Sequence, residues 1–261
     1  MLDKNYYFLG TLLPALYIEI PPEITFFEAM HFFSMNLAPG DLGKVRALRT
    51  FLDVKNVYYL WTQESLDPRG NLSRKELEEA LINKVNLPEY LFEFLDKHES
   101  EQNRIKYFSE VIAHYFREEQ QRHKGFLKKY LSFERHLRLV LAAFRAKRHS
   151  RDLTKEFQFE DPNDFFVQEL LAAKDHPDFI FPFEFSDLED LLMTEYRDPL
   201  KEYQILAKYR FNKIEEMTIE EDFTIDWLLS YTAKLMAVED WWKLDEEEGS
   251  RIFNEIVKEI A

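Results

Sequence analysis

The sequence predicts a mostly α protein: a multi-helix funnel- or bundle-like body, with room for divergent helical repeats, preceded by an extended N-terminal segment. Three observations carry this reading. Apolar residues recur at three- and four-residue spacing over most of the chain, while strand-like alternation is nearly absent. Helix start signals of the form Ser/Thr-x-x-Glu precede apolar runs at Thr25 and Ser73. The 261 residues include only 6 Gly and 10 Pro, so long stretches run without a breaker.

Taken in order, residues 1–24 read as extended chain. The apolar run Tyr6-Tyr7-Phe8-Leu9 ends at Gly10, and Pro14, Pro21 and Pro22 forbid one continuous helix. Thr25 with Glu28 opens the first helix and is followed by Phe26, Met30 and Phe33 on one face. Asp41 is expected to open the next, with Val45, Leu48 and Leu52 at helical spacing. Asp67-Pro68-Arg69-Gly70 has turn chemistry, and Ser73 with Glu76 then caps a helix carrying Leu77, Ala80 and Leu81. Pro88 suits a first-turn position.

From Glu101 to His149 only Gly125 interrupts the helical pattern, which predicts two long helices with a kink or tight turn near it. The second places Leu127, Tyr130, Leu131, Leu137, Leu141 and Phe144 on one broad face. Phe157–Pro162 is a break and Pro177–Phe185 an aromatic, proline-containing loop. Asp198-Pro199 starts a helix reaching about Met217, and Thr224 and Asp245 are expected to cap the last two. The final helix has Glu246, Glu247 and Glu248 in its first turn and the stripe Ile252, Phe253, Ile256, Val257 and Ile260. No linker rich in Gly, Ser or Pro appears. The expectation is therefore a single helical domain over 1–261, with a sub-boundary, if any, near 155–185.

Composition narrows function mainly by exclusion. Without Cys there are no disulfides, thiolate metal sites or Cys nucleophiles. Neither phosphate-cradling pattern, G-x-G-x-x-G nor G-x-x-x-x-G-K-[ST], occurs. No apolar stretch approaches the ~20 residues of a membrane span, and no basic-then-apolar start suggests a signal peptide. A cytoplasmic protein is expected. Glu110/His114 and Glu119/His123 share helix faces at four-residue spacing, with Glu118 beside them, but di-iron bundles use Glu-x-x-His on separate helices. A solvated charged face is the plainer account. No G-x-S-x-G elbow marks a serine nucleophile.

The charge distribution is the most informative feature. Arg122 to Arg151 holds ten Lys/Arg against Glu134 alone, a net +9, in a chain totalling −15, so the remainder carries −24. Nucleic-acid binding is disfavoured, because the whole chain would repel a polyanion. Two readings stay open: a helix paired internally with the acidic remainder, or a basic face that docks a partner protein. For docking, Arg138, Arg145, Lys147, Arg148 and Arg151 are the candidate residues. Glu134 lies near the apolar face, either as a surface pair with Arg138 one turn on or as a partly buried acid orienting the helix.

The strings YYFLGTLLPAL, PPEITFFEA, LDPRGNLS, GFLKKYLSFERHLRLVLAAFRAK, QFEDP and YRFNKIEEM resemble an uncharacterised bacterial family encoded in V-type ATP synthase operons. More distantly, Phe133–Leu139 and Phe144–Lys147 are similar to the helical repeats of the funnel-shaped C-type subunit of V-type ATPases, which joins the rotating stalk to the membrane ring. Fainter echoes occur at Lys44–Arg49 and Tyr209–Ile214. The resemblance implies a non-catalytic, cofactor-free adaptor between central stalk and membrane ring, cytoplasmic and peripheral to the inner membrane. A transient assembly or regulatory factor of the same complex is the alternative, and a helical metal-dependent enzyme a second one.

Overall fold

The computed structural model describes residues 6–176, 178–195, 199–218 and 222–260, with the side chains of all but 193–195, 199 and 244–260. The described residues form thirteen α-helices, one short 3-10 turn and no strand. The mostly α expectation therefore holds. The chain divides into two compact units, one made of residues 1–44 and 190–261, the other of residues 45–189.

The first unit begins with α1 (Tyr7–Leu12), a short helix inside the stretch expected to be extended. The prolines act only after it: residues 13–25 are non-helical, as read from Pro14, Pro21 and Pro22. Gly10 does not end the apolar run; it lies inside α1, where glycine is needed because a side chain would collide with the ring of Phe223. An added Cβ would stand 3.3 Å from Phe223 Cγ and closer still to Cδ1 and Cε1, under the 3.0 Å that real Cβ contacts keep. Phe223 holds its place with a left-handed φ of 61°, uncommon for a bulky residue. Its carbonyl accepts the Tyr6 amide at 2.6 Å, and its ring lies 5.2 Å from that of Tyr7.

Next comes α2 (Phe26–Asn36), with the capping box read from the sequence. Thr25 Oγ1 accepts the Glu28 amide at 3.2 Å, and Glu28 Oε2 accepts the Thr25 amide at 2.8 Å. Phe26, Ala29 and Phe33 are fully buried along one stripe, which packs on α13 (Ile225–Ile260). Against α13 also lies α12 (Pro199–Glu216). Thr224 caps α13 through its hydroxyl, which accepts the Trp227 amide at 3.2 Å. Asp245 does not start a further helix. The chain stays helical from Ile225 to Ile260, because the residues on both sides of Asp245 are good helix formers and no proline intervenes. The apolar stripe expected from Ile252 to Ile260 lies outside the described side chains.

The second unit takes up α3 (Pro39–Thr62) from Val45 onward. This helix starts at Pro39 rather than Asp41, since proline at a first helical position gives up no bonded amide. Asp41 instead accepts the Tyr6 hydroxyl at 2.5 Å. The turn read at 67–70 is locked onto α3. Asn56 both donates to the Asp67 carbonyl (2.9 Å) and accepts the Asp67 amide (2.8 Å). Arg49 donates to the carbonyls of Arg69 and Gly70 at 2.7 and 2.6 Å. Buried Asp53 accepts from Leu72 N and Asn71 Nδ2 at 3.0 and 2.7 Å. Gly70 is required here, because a Cβ would lie 2.7 Å from Asp53 Oδ1.

After this turn come α4 (Arg74–Asn83), α5 (Glu89–Lys97), α6 (Glu101–Lys106), α7 (Ser109–Arg122) and α8 (Gly125–Arg148). Ser73 and Glu76 form the second expected capping box, whereas Pro88 is the cap itself and not a first-turn residue. The helical run from Glu101 is broken once more than expected, at Tyr107-Phe108, where the Phe108 ring turns into the core. Val54, Val57, Leu77, Leu91, Phe94, Tyr115, Phe116 and Leu131 share that core. Gly125 makes the tight reversal into α8 with a φ of 60°. The remaining elements are α9 (Leu153–Glu156), α10 (Phe165–Ala172) and α11 (Ser186–Glu195), the last crossing out of the unit after Glu189. Among the described residues no helix is long and apolar enough to cross a membrane.

Candidate functional site: the cationic end of α8

Helix α8 is the central helix of its unit, packed against α7, α9 and α10. Of the predicted face, Leu127, Leu131, Leu137, Leu141 and Phe144 are buried and Tyr130 is half-buried, and Leu139, Val140, Ala143 and Ala146 are buried too. A helix so enclosed can carry ten cations nearby only if those at its middle find acids.

They do. Arg135, with only 8% of its side chain exposed, donates to Glu160 Oε2 through Nη2 (3.0 Å) and to Asp164 Oδ2 through Nη1 (2.8 Å). Arg138 donates through Nη2 to Glu160 Oε1, and its guanidinium lies 5.7 Å from the Phe116 ring centre. Burial depresses the Arg138 pKa, and the Glu160 charge opposes that fall. Asp164 divides its oxygens: Oδ1 caps α10 by accepting Phe166 N and Val167 N at 3.0 and 3.1 Å, while Oδ2 takes Arg135. Burial pushes this carboxyl up, yet Arg135 and the two amides outweigh it and hold the pKa below its ordinary value. Arg138 is thus committed to Glu160 rather than to Glu134 one turn before it. Glu134 is half-buried, and its charge adds to the burial that raises the Tyr115 hydroxyl well above its usual range.

The last turn of α8 and the residues after it are different. Arg145, Arg148 and, beyond the helix, Arg151 are exposed, and Lys147 is half-buried. Lys147 Nζ donates to the Lys174 carbonyl at 2.9 Å, Arg151 pairs with Glu156 at 2.8 Å, and Arg148 lies over the Phe144 ring at 5.3 Å. The carbonyls of Arg145, Ala146 and Lys147 are already taken by the amides of His149, Arg151 and Ser150. That closure requires Ser150 in the left-handed region at φ 53°, a position glycine usually fills. Beside this cap opens a cleft of about 530 Å³, lined by Ala143, Lys147, Arg151, Leu170, Lys174 and Phe179 among others. Phe179 completes an aromatic wall with Phe144 and Phe181, at centroid distances of 5.8 and 4.8 Å.

The acids considered as metal ligands all meet basic partners. Glu119 accepts from Arg122 and lies 3.0 Å from His123, and Glu118 also meets Arg122. Glu110 pairs with Lys97 at 2.7 Å and His98 at 3.1 Å. Burial raises its carboxyl, but hydrogen bonds from both partners bring the pKa below its ordinary value. Among the described residues no three His, Asp or Glu side chains gather as a metal site.

Over residues 3–261 the chain matches the family described as Protein of unknown function (DUF2764). It belongs to that family. Relatives of this DUF2764 member include an uncharacterized protein of Chlamydia trachomatis serovar D, 30% identical over 261 residues, covering 97% of this chain and 98% of the relative. Another, from Chlamydia muridarum, is 30% identical over 264 residues, covering 98% and 99%. A third, from Chlamydia pneumoniae, is 29% identical over 262 residues, covering 98% of each. No solved structure matches.

Of the residues predicted from sequence, Arg145, Lys147, Arg148 and Arg151 thus fall together at the end of α8. Arg138 and Glu134 lie further back, on its packed part. Sequence reasoning missed Glu160, Asp164, Lys174 and Phe179. Asp164 had a local signal, an Asp directly before the apolar run Phe165-Phe166-Val167. Glu160 stood within QFEDP, but nothing local ties it to Arg138, twenty-two positions away.

Proposed function

We propose that this chain is a non-catalytic, helical component of a bacterial V-type ATPase, an adaptor between central stalk and membrane ring that docks through the end of α8. One observation supports the docking surface: the last turn of a well-packed helix and the segment just after it present Arg145, Lys147, Arg148 and Arg151 within seven residues. A helix fixed by buried ion pairs transmits force without a chemical step, and its exposed cations give an acidic partner a charge-complementary face. The complex itself is named by the resemblance of the sequence strings to the operon-encoded family.

Co-expression with the stalk and ring subunits tests this, with purification at low ionic strength in detergent. The adaptor should co-purify stoichiometrically and leave density in cryo-microscopy of the ATPase. Arg145→Glu with Arg148→Glu should abolish the association while the helical circular dichroism stays unchanged. Recovery of the chain only with incompletely assembled complexes makes it an assembly factor. No association with any subunit removes both readings.

A further inference from the structure

We infer that the cleft beside the α8 cap receives an acidic peptide segment in which Asp or Glu adjoins an aliphatic or aromatic residue. This rests on the reading of the α8 end as a protein contact and names the chemistry of the partner. Its volume, about 530 Å³, lies within the roughly 300–1,000 Å³ usual for ligand sites.

Two kinds of lining point to that ligand. Ala143, Leu170 and the Phe179 ring make an apolar wall, which a bare anion would not use. Lys147, Arg151 and Lys174 supply the positive charge. Lys147 and Arg151 are held in place by the Lys174 carbonyl and Glu156, while Lys174 is exposed and carries no ion pair among the described residues. Because backbone amides close the Arg145, Ala146 and Lys147 carbonyls, these cations are not needed at those positions of the helix end. Two acids also line the cleft. Asp152 is turned to the Thr154 amide at 2.9 Å, and Asp175 remains. Their presence disfavours a dianionic phosphate, whereas a singly charged carboxylate on an apolar segment meets both walls. In a chain of net charge −15, such a site selects locally instead of collecting polyanions at long range.

Fluorescence anisotropy with the purified full chain decides it, using short labelled peptides in which Asp or Glu flanks Leu or Phe. Binding is expected, weakening with salt. Lys174→Glu, which exchanges an attraction for a repulsion at an exposed position, should weaken it about fivefold or more. Phe179→Ala should weaken it as well, with circular dichroism unchanged in both variants. Absence of binding at millimolar peptide overturns the inference, as does an affinity indifferent to Lys174→Glu. Equal binding of an all-Glu peptide, a phosphopeptide or inorganic phosphate also overturns it, since charge alone would then suffice. No ATPase subunit enters the assay. Peptide binding without co-purification would thus sink the adaptor reading and leave the cleft assignment standing, and the reverse result would do the opposite.

Discussion

Replacing Gly10 by alanine sets two physical terms of opposite sign against each other. Gly10 lies within α1, where glycine is about 1 kcal/mol worse than alanine, so helix propensity alone predicts stabilisation. The Phe223 ring reverses that expectation. An added Cβ overlaps its edge, and the ring is held by Tyr7 on one side and Trp227 on another while its carbonyl is tied to the Tyr6 amide. Overpacking of this kind costs about 1–3 kcal/mol. If α1 instead lifts away, the chain loses the Tyr6–Phe223 backbone bond, about 1 kcal/mol, and the Tyr7–Phe223 ring contact, about 0.5–1.5 kcal/mol. Set against the helical gain, overpacking leaves about 0–2 kcal/mol and lift-off about 0.5–1.5 kcal/mol, so Gly10→Ala should destabilise by about 0.5–1.5 kcal/mol net. Urea unfolding followed through midpoint and slope measures it, with proteolysis of the N-terminal segment as a second readout. In a Phe223→Ala background the clash is gone, and the same substitution should stabilise by about 1 kcal/mol. A stabilising Gly10→Ala in the unaltered chain refutes the reasoning. So does a coupling between the two positions below about 0.5 kcal/mol, the size expected of independent sites.

Glu160→Gln should cost about 1.5–3 kcal/mol in the same unfolding assay, because half-buried Arg138 loses its counter-charge and buried Arg135 keeps only Asp164. The Asp164 pKa is lowered in the folded chain, so its contribution is present above the unfolded value near 4 and fades as pH falls through the lower folded value. Acid titration of stability should therefore show a limb below about pH 4 that flattens in Asp164→Asn. Ser150→Gly should raise stability by about 1 kcal/mol, seen as a higher urea midpoint, since it removes a Cβ from the left-handed position.

What the sequence made legible was whatever acts over three or four residues. Both capping boxes could be read, because Thr25 and Glu28, like Ser73 and Glu76, complete their geometry within one turn. The buried stripe of α8 was equally visible in its spacing. Where a distant residue decides, local reading failed. Gly10 looked like a terminator but is a contact point for a ring 213 positions later. Arg138 looked paired with Glu134 until Glu160, on a different segment, took it. Asp245 carried a genuine cap signal, yet continuing the helix satisfied more backbone groups than ending it there. The cleft gathers side chains from Ala143 to Phe179 across α8, α9, α10 and their connections, so no single stretch of sequence could announce it.

The division of the chain carries a consequence for its synthesis. Residues 45–189 are contiguous and can collapse while the ribosome is still at work, but the first unit is split on either side of them. The partner that Tyr6 and Gly10 require, Phe223, is translated roughly 10–40 s after residue 44 at the usual elongation rates. Throughout that interval Leu9, Phe26 and Phe33, buried in the finished protein, must wait without α13. Expression yield should therefore depend on holdase chaperones far more for the whole chain than for the isolated segment 45–189. Slowing elongation after residue 189 should lengthen the exposure and promote aggregation of the nascent N-terminus.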